Sequence, residues 1–375
     1  MIYSVFFGCV VGLNYILTPK LHSNTFMALD NFNEEHSITP FASVGDLKFY
    51  KTSFDNFHAF SNTLNSLFDV ELEQEFKVNV EPNFVLVESS PSVPWHLQRV
   101  AQRELPLKGS FPYGKCHENT NVTINTYVID TGIDVSHPEF EGRATWLANF
   151  IDNEDSDCNS HGTHCAGLVG SKTYGVCKDA NLFAVKVLDC RGSGSTSAVI
   201  AGIDFAFKDH LNRRATGKNV KSIVSMSLGG GFSRALNMAV QATIKDPHFF
   251  FAAAAGNEDS DTCRTSPASS VGIFAVMASD RYDNRAYFSN YGKCASIFSP
   301  GVDIESTVPG GKTAVYSGTS MATPVFVGVL NHYLDRDINL TMKTLKEKVL
   351  SDATKNALAG VPKQTNNLFV YLNRA

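Results

Sequence analysis

A chain of 375 residues has room for about two domains, and 43% hydrophobic with 18% charged residues is the make-up of an ordinary globular protein. A formal net charge of −5 and the lack of any basic run interleaved with aromatics argue against a nucleic-acid partner. Eight cysteines agree with an oxidising compartment.

The chain opens on an almost wholly apolar run, Met1–Leu17, followed by Pro19. The run is short for a membrane span and reads as a secretory signal over residues 1–21, although no Lys or Arg precedes it and no small-x-small cleavage site follows. No later run is apolar and long enough to cross a bilayer, so the mature chain is expected outside the cell and not inserted in a membrane. Residues 22–87 read as a compact α+β unit. It has a strand at Asp46–Tyr50, a helix over Asp55–Phe68 and alternating segments at Glu71–Val80 and Phe84–Glu88. The helix rests on Phe57, Phe60, Leu64, Leu67 and Phe68 at helical spacing. At about 65 residues the unit is near the lower limit for independent stability.

A linker with Pro91 and Pro94 opens the larger unit, residues 88–375. Strands are expected at Thr126–Ile129, Asn181–Leu188, Ser222–Ser227, Phe249–Ala254 and Gly272–Ala278, with helices between them at Ser195–Lys208 and Ser233–Ile244. This alternation predicts an α/β architecture, a mainly parallel sheet with helices on both faces.

Three polar residues stand at the right places in such a sheet to do chemistry. Asp130 ends a strand in VIDTGI, His161 lies in NSHGTHCAG, and Ser320 lies in SGTSMATP, the last two opening helices. Sites in open α/β sheets form beyond the carboxyl ends of strands, so the three can converge. A serine hydroxyl needs a base, histidine can supply one near neutral pH, and a buried aspartate fixes the imidazole tautomer. Each also has a plainer role: Asp130 as a turn cap, Ser320 as a helix N-cap, and His161 and His164 as packing residues or, with Cys165, a metal cluster.

The blocks VIDTGID, NSHGTHCAGLVG, MSLGGG, AAAAGNE and SGTSMATP resemble, in order, the signature blocks of the subtilase family, with most likeness to its proteinase K branch. The resemblance covers Pro94 to Leu372. It implies a subtilisin-like three-layer α/β domain and a serine endopeptidase of broad specificity that works through an acyl-enzyme. It also implies a small ferredoxin-like prodomain that inhibits and chaperones the enzyme until autoprocessing, expected near Val87. Asp130, His161 and Ser320 would form the triad, and Asn257 would hold the oxyanion with the Ser320 backbone N–H. Ser227, Leu228, Gly229 and Gly230 would form one wall of the substrate cleft, and Gly192, Ser193 and Gly194 the other.

The partners implied are protein and peptide substrates and the chain's own prodomain, on a monomer. Catalysis would need no cofactor. The two calcium positions of proteinase K fall at Ser296 and near Ala357, where no carboxylate stands, leaving the acidic loop Asp152, Glu154, Asp155 and Asp157 as the remaining structural calcium candidate. Thr196 replaces a tyrosine at the distal pocket. The resemblance further implies disulfides Cys158–Cys190 and Cys263–Cys294 and a free Cys165 beneath the catalytic histidine. A Cys116–Cys177 pair stays open. The rival functions are a catalytically silent binding protein of the same fold and, more distantly, a metallohydrolase at His161, His164 and Cys165.

Overall fold

The computed structural model describes residues 13–20, 38–54, 65–81, 85–87, 92–113, 115–119, 121–217 and 219–373. The small unit is a four-stranded sheet of β1 (Leu13–Pro19), β2 (Thr39–Val44), β3 (Leu47–Phe54) and β4 (Phe68–Leu72) in the order β2-β3-β1-β4. The β1 strand is internal to this sheet. It pairs antiparallel with both β3 and β4, and Ile16 and Leu17 are fully buried. The segment expected to be a leader, residues 1–21, includes this strand. Most of the expected helix over Asp55–Phe68 lies outside the described residues, as does Cys9. The Asp46–Tyr50 strand is the start of β3.

The segment Glu71–Val80 does not run as one strand. It leaves the small sheet after β4, and β5 (Glu75–Val78) joins the larger unit instead. The same is true of β6 (Val85–Val87), which was expected to complete the small unit.

The larger unit begins with the short helix α1 (Trp95–Val100), then β7 (Thr123–Asp130), β8 (Ala144–Asn149), α2 (His161–Gly170), β9 (Asn181–Lys186) and β10 (Ser193–Ser195). After these come α3 (Thr196–Thr216), β11 (Val220–Met226), β12 (Leu228–Gly231), α4 (Arg234–Thr243), β13 (Phe249–Ala254), β14 (Thr265–Ser266), β15 (Phe274–Ser279) and β16 (Ile297–Pro300). A hairpin of β17 (Ile304–Val308) and β18 (Lys312–Tyr316) precedes α5 (Thr319–Arg336), α6 (Met342–Asp352), β19 (Thr354–Lys355) and β20 (Leu368–Phe369).

The central nine-stranded sheet has the order β19-β20-β16-β15-β13-β11-β7-β9-β8 and is parallel except for the β19–β20 pair. Its inner strands are buried on both faces, as the run Phe249–Ala254 illustrates; only a sheet covered by helices on each side tolerates that composition. One core lies between the sheet and α2 and α5, the other between the sheet and α3 and α4. The second core continues into the small unit. Ile16, Ala42, Val44 and Phe49 pack in one cluster with Val199, Ile203, Leu236 and Ala239.

Candidate active site

The site forms where the carboxyl ends of parallel strands meet two helix N-termini. Asp130 is the last residue of β7 and is fully buried. His161 is the first residue of α2, and its Nδ1 lies 2.7 Å from Asp130 Oδ1. The approach of α2 to β7 depends on Gly162, because a Cβ there would sit 2.0 Å from the Gly132 carbonyl oxygen. Asp157 from the acidic loop holds the same helix end. Its carboxylate accepts from the N–H groups of Ser160 and Thr163 at 2.9 Å each and from the Thr131 hydroxyl at 2.8 Å.

Burial opposes charging His161, but the Asp130 carboxylate, with Cys165 alongside, overrides it and holds the imidazole well above its ordinary pKa. Among the described residues Cys165 is the free thiol, buried with Sγ 3.9 Å from His161 Nδ1, and burial pushes its pKa up. His164 belongs to another environment. Its Nε2 lies 3.1 Å from the carbonyls of Ile304 and Ala314, its ring stacks on Tyr316, and burial lowers its pKa to about 3. The trio His161, His164 and Cys165 thus does not converge as a metal site.

Ser320 is in the first turn of the 18-residue helix α5, where unsatisfied N–H groups and the helix dipole favour negative charge. Its hydroxyl donates to the Ser227 carbonyl at 2.7 Å, while the Ser227 hydroxyl donates to the Ser320 carbonyl at 2.8 Å. Asn257 follows β13. Its Oδ1 accepts from the Thr319 N–H at 3.0 Å and the Thr319 hydroxyl at 2.7 Å. These two bonds orient the amide, leaving its buried Nδ2 without a hydrogen-bond partner. A buried amide donor without a partner is costly unless something in the working cycle meets it.

The cleft is filled by the chain itself. β5 lies between β10 and β12, antiparallel to both, with Ser193–Ser195 opposite Glu75–Lys77 and Leu228–Gly229 opposite Lys77–Val78. The Val78 N–H donates to the Gly192 carbonyl at 3.1 Å, and the Asn79 N–H to the Ser227 carbonyl at 3.4 Å. The Ser320 N–H donates to the Asn79 carbonyl at 3.2 Å. Gly229 and Gly230 make room for this strand, since added Cβ atoms would stand 2.8 Å from the Asn79 side chain and 2.9 Å from Phe76. Phe76 is fully buried three residues before Asn79, whereas Thr196 meets the backbone of Gln74 further up the chain. Sequence spacing pointed to Val87 as the residue at the cleft; the residue there is Asn79, and Val87 is part of β6. Nothing in the sequence marked Glu75–Val78 as the occupant, because the strand is made regular only by its two neighbours in the cleft.

A scan against family models matches residues 121–371 to "Subtilase family". The chain belongs to the subtilase family. It is 46% identical over 292 residues to the subtilisin-like serine protease Rho m 2.0101 of Rhodotorula mucilaginosa, covering 74% of this chain and 85% of that one. It is 43% identical over 298 residues to alkaline protease 2 of Aspergillus fumigatus, covering 75% of this chain and 60% of that one. Among solved structures it is similar to a cold adapted subtilisin-like serine proteinase, with a TM-score of 0.70 and 38% identity, covering 76% of this chain and all of that one. As a subtilase it is a serine endopeptidase, and the fold described above is the family's α/β fold.

Three disulfides, Cys116–Cys177, Cys158–Cys190 and Cys263–Cys294, are present. The second ties the loop before His161 to the wall at Gly192, and chain-entropy reasoning gives it about 3–4 kcal/mol. The calcium positions of the subtilase relatives hold other groups here. Ser296 Oγ accepts from the Ala275 N–H at 3.2 Å, and the Lys346 ammonium bonds the nearby Ile273 carbonyl. In the acidic loop the buried Lys186 donates to the Ser156 carbonyl at 3.0 Å and lies 3.6 Å from Asp152 Oδ2, while Asp157 is spent on α2. A lysine ammonium thus takes up acceptors beside Ser296 and in the acidic loop, where a bound cation would compete with it. Among the described residues no helix is long and apolar enough to cross a membrane.

Proposed function

We propose that this subtilase is made as a secreted zymogen, acts as a monomer on proteins with broad specificity, and first cuts its own Asn79–Val80 bond. In this reading Ser320 attacks the carbonyl and His161 takes its proton and returns it to the leaving amine. Asp130 orients the imidazole and steadies the imidazolium. The oxyanion is held by the Ser320 N–H and the amide of Asn257. Residues 192–194 and 227–230 bind the peptide as an added strand.

The observation that carries the proposal is the Asn79 carbonyl resting on the Ser320 N–H. Secretion is supported by the three disulfides, which persist in oxidising compartments. The seat of the reaction is supported by the orphaned Nδ2 of Asn257, which needs an acceptor at that spot. For attack, the Ser320 hydroxyl must give up its bond to the Ser227 carbonyl and pass its proton to His161.

Intact mass and N-terminal sequencing test this reading. The wild-type chain is expected to yield a new N-terminus at Val80 and to take one fluorophosphonate on Ser320, while Ser320→Ala stays full length. A first cut near Val87, or maturation of purified Ser320→Ala by itself, overturns it.

A further inference from the structure

The chain beyond Asn79 is held as deliberately as the chain before it. The Glu81 N–H donates to the Ser317 carbonyl at 2.7 Å. The Glu81 carboxylate accepts from the Tyr287 hydroxyl at 3.1 Å. Tyr287 is 73% exposed, yet it is not loose, since its ring stands edge-on against the buried Phe288. The nearby Arg285 is engaged elsewhere, with Asp259 at 2.8 Å and with the carbonyls of Ser289 and Gly360. The neutral phenol is thus what meets the Glu81 carboxylate.

Further on, β6 pairs antiparallel with β18, placing Val85, Leu86 and Val87 opposite Val315, Ala314 and Thr313. The order of that sheet is β17-β18-β6, so β18 becomes a free edge whenever β6 is not there. A free edge offers a row of main-chain donors and acceptors to an extended peptide.

We propose that the leaving side of the cleft is an extended peptide-reading site. Tyr287 selects an acidic residue at the second position after the cut, and the β18 edge takes the sixth to eighth positions as an added strand. The occupant is substrate chain, because one polypeptide here passes through the reaction centre, over Ser317 and Tyr287, and onto β18 in succession. The preferred substrate is then a protein segment with Asp or Glu two residues past the bond and at least eight residues of extended chain after it. This rests on the reading that Asn79–Val80 lies in the reactive position.

Internally quenched peptides spanning residues 75–87 test it on the active enzyme, with concentration fixed by active-site titration. Replacing Glu81 of the peptide by Gln is expected to lower kcat/KM about threefold to tenfold, the range for one hydrogen bond at a partly exposed site. Tyr287→Phe is expected to bring the Glu-to-Gln ratio to one. A peptide ending at Asn83 is expected to show KM raised about tenfold, from main-chain bonds lost at β18. Equal rates for the Glu and Gln peptides, or a ratio unchanged by Tyr287→Phe, overturn the role of Tyr287. Equal KM for long and short peptides overturns the role of β18 and is also the result if the enzyme's own residues 85–87 keep that edge covered. A p-nitroanilide carrying only residues 76–79 has no leaving-side peptide. If wild-type enzyme fails on it, the underlying placement of Asn79 is wrong, whatever the longer peptides do.

Discussion

The small unit grips the enzyme through Glu73 in a way that can be weighed. Glu73 reaches the N-terminus of α3, where its carboxylate accepts from both the N–H and the hydroxyl of Ser197. Lys51 of the small unit holds the other carboxylate oxygen at 3.0 Å. Burial opposes the charge, but Ser197 and Lys51 outweigh it and keep the Glu73 pKa below its ordinary value. A hydrogen bond to a charged acceptor contributes about 1.5–3 kcal/mol, so Glu73→Ala is expected to weaken the cleaved complex roughly 10- to 150-fold. The pH dependence has a definite sign. A lowered pKa contributes holding energy above the free carboxyl value of 4.5 that is lost as pH falls through the bound value. The assay is release of activity from the cleaved complex on serial dilution, read with a small anilide at several pH values. Wild type should lose its grip in acid, and Glu73→Gln should be weaker at neutral pH and flatter through the acid limb. An inhibition constant within twofold of wild type for Glu73→Ala at neutral pH refutes the argument.

Asn257→Ala is expected to lower kcat about 100- to 1000-fold with little change in KM, because its donor matters only once the oxyanion forms; steady-state kinetics decide. The raised His161 pKa places the acid limb of kcat/KM above 6.5, since only neutral imidazole can act as base, and a pH–rate profile reads it directly. The same shift makes His161 stabilise the fold below about 6.5 and lose that contribution as pH rises through its folded value. Gly230→Ala would put a methyl 2.9 Å from a phenyl at the Phe76 position. It should therefore raise KM roughly 5- to 100-fold for peptides with Phe there, and far less for peptides with Ala.

The larger unit was legible because its signals are local. Phe249–Ala254 read as a buried strand from its length and flanks, and strand ends allowed Asp130, His161 and Ser320 to converge, but the resemblance of the motif blocks was needed to prefer that over their plainer roles. The edge strand Ala144–Asn149 escaped notice because its half-buried run alternates poorly and carries a bulge at Trp146 and Ala148. Leu13–Pro19 was not legible as a strand for a different reason. An apolar stretch at an N-terminus looks like a leader, and nothing within it shows that two strands wait on either side. The Asn79 assignment needed the register of β5 against Gly192 and Leu228, which the spacing between motifs cannot supply.

The two units share surfaces of different kinds, and a chain cut at the proposed bond would still be held by them. Cutting Asn79–Val80 leaves β5 seated between β10 and β12, so the main-chain bonds before the cut survive it. Glu73 on Ser197 and Glu71, whose carboxylate accepts from the Ala235 N–H at 3.1 Å, go on capping α3 and α4. The third surface is apolar: Ile16, Ala42, Val44 and Phe49 complete the core over those helices. That surface also bears on folding. The small unit is near the lower limit for independent stability, and its Ile16, Ala42, Val44 and Phe49 pack in one cluster with residues of α3 and α4. Each unit therefore supplies what the other needs to close its core, and loss of the small unit must expose apolar surface on both. Acid weakens the Glu73 cap but leaves the apolar face and the cleft strand in place. On the proposed cut, full release therefore requires that the cleft strand, the helix caps and the apolar face all let go.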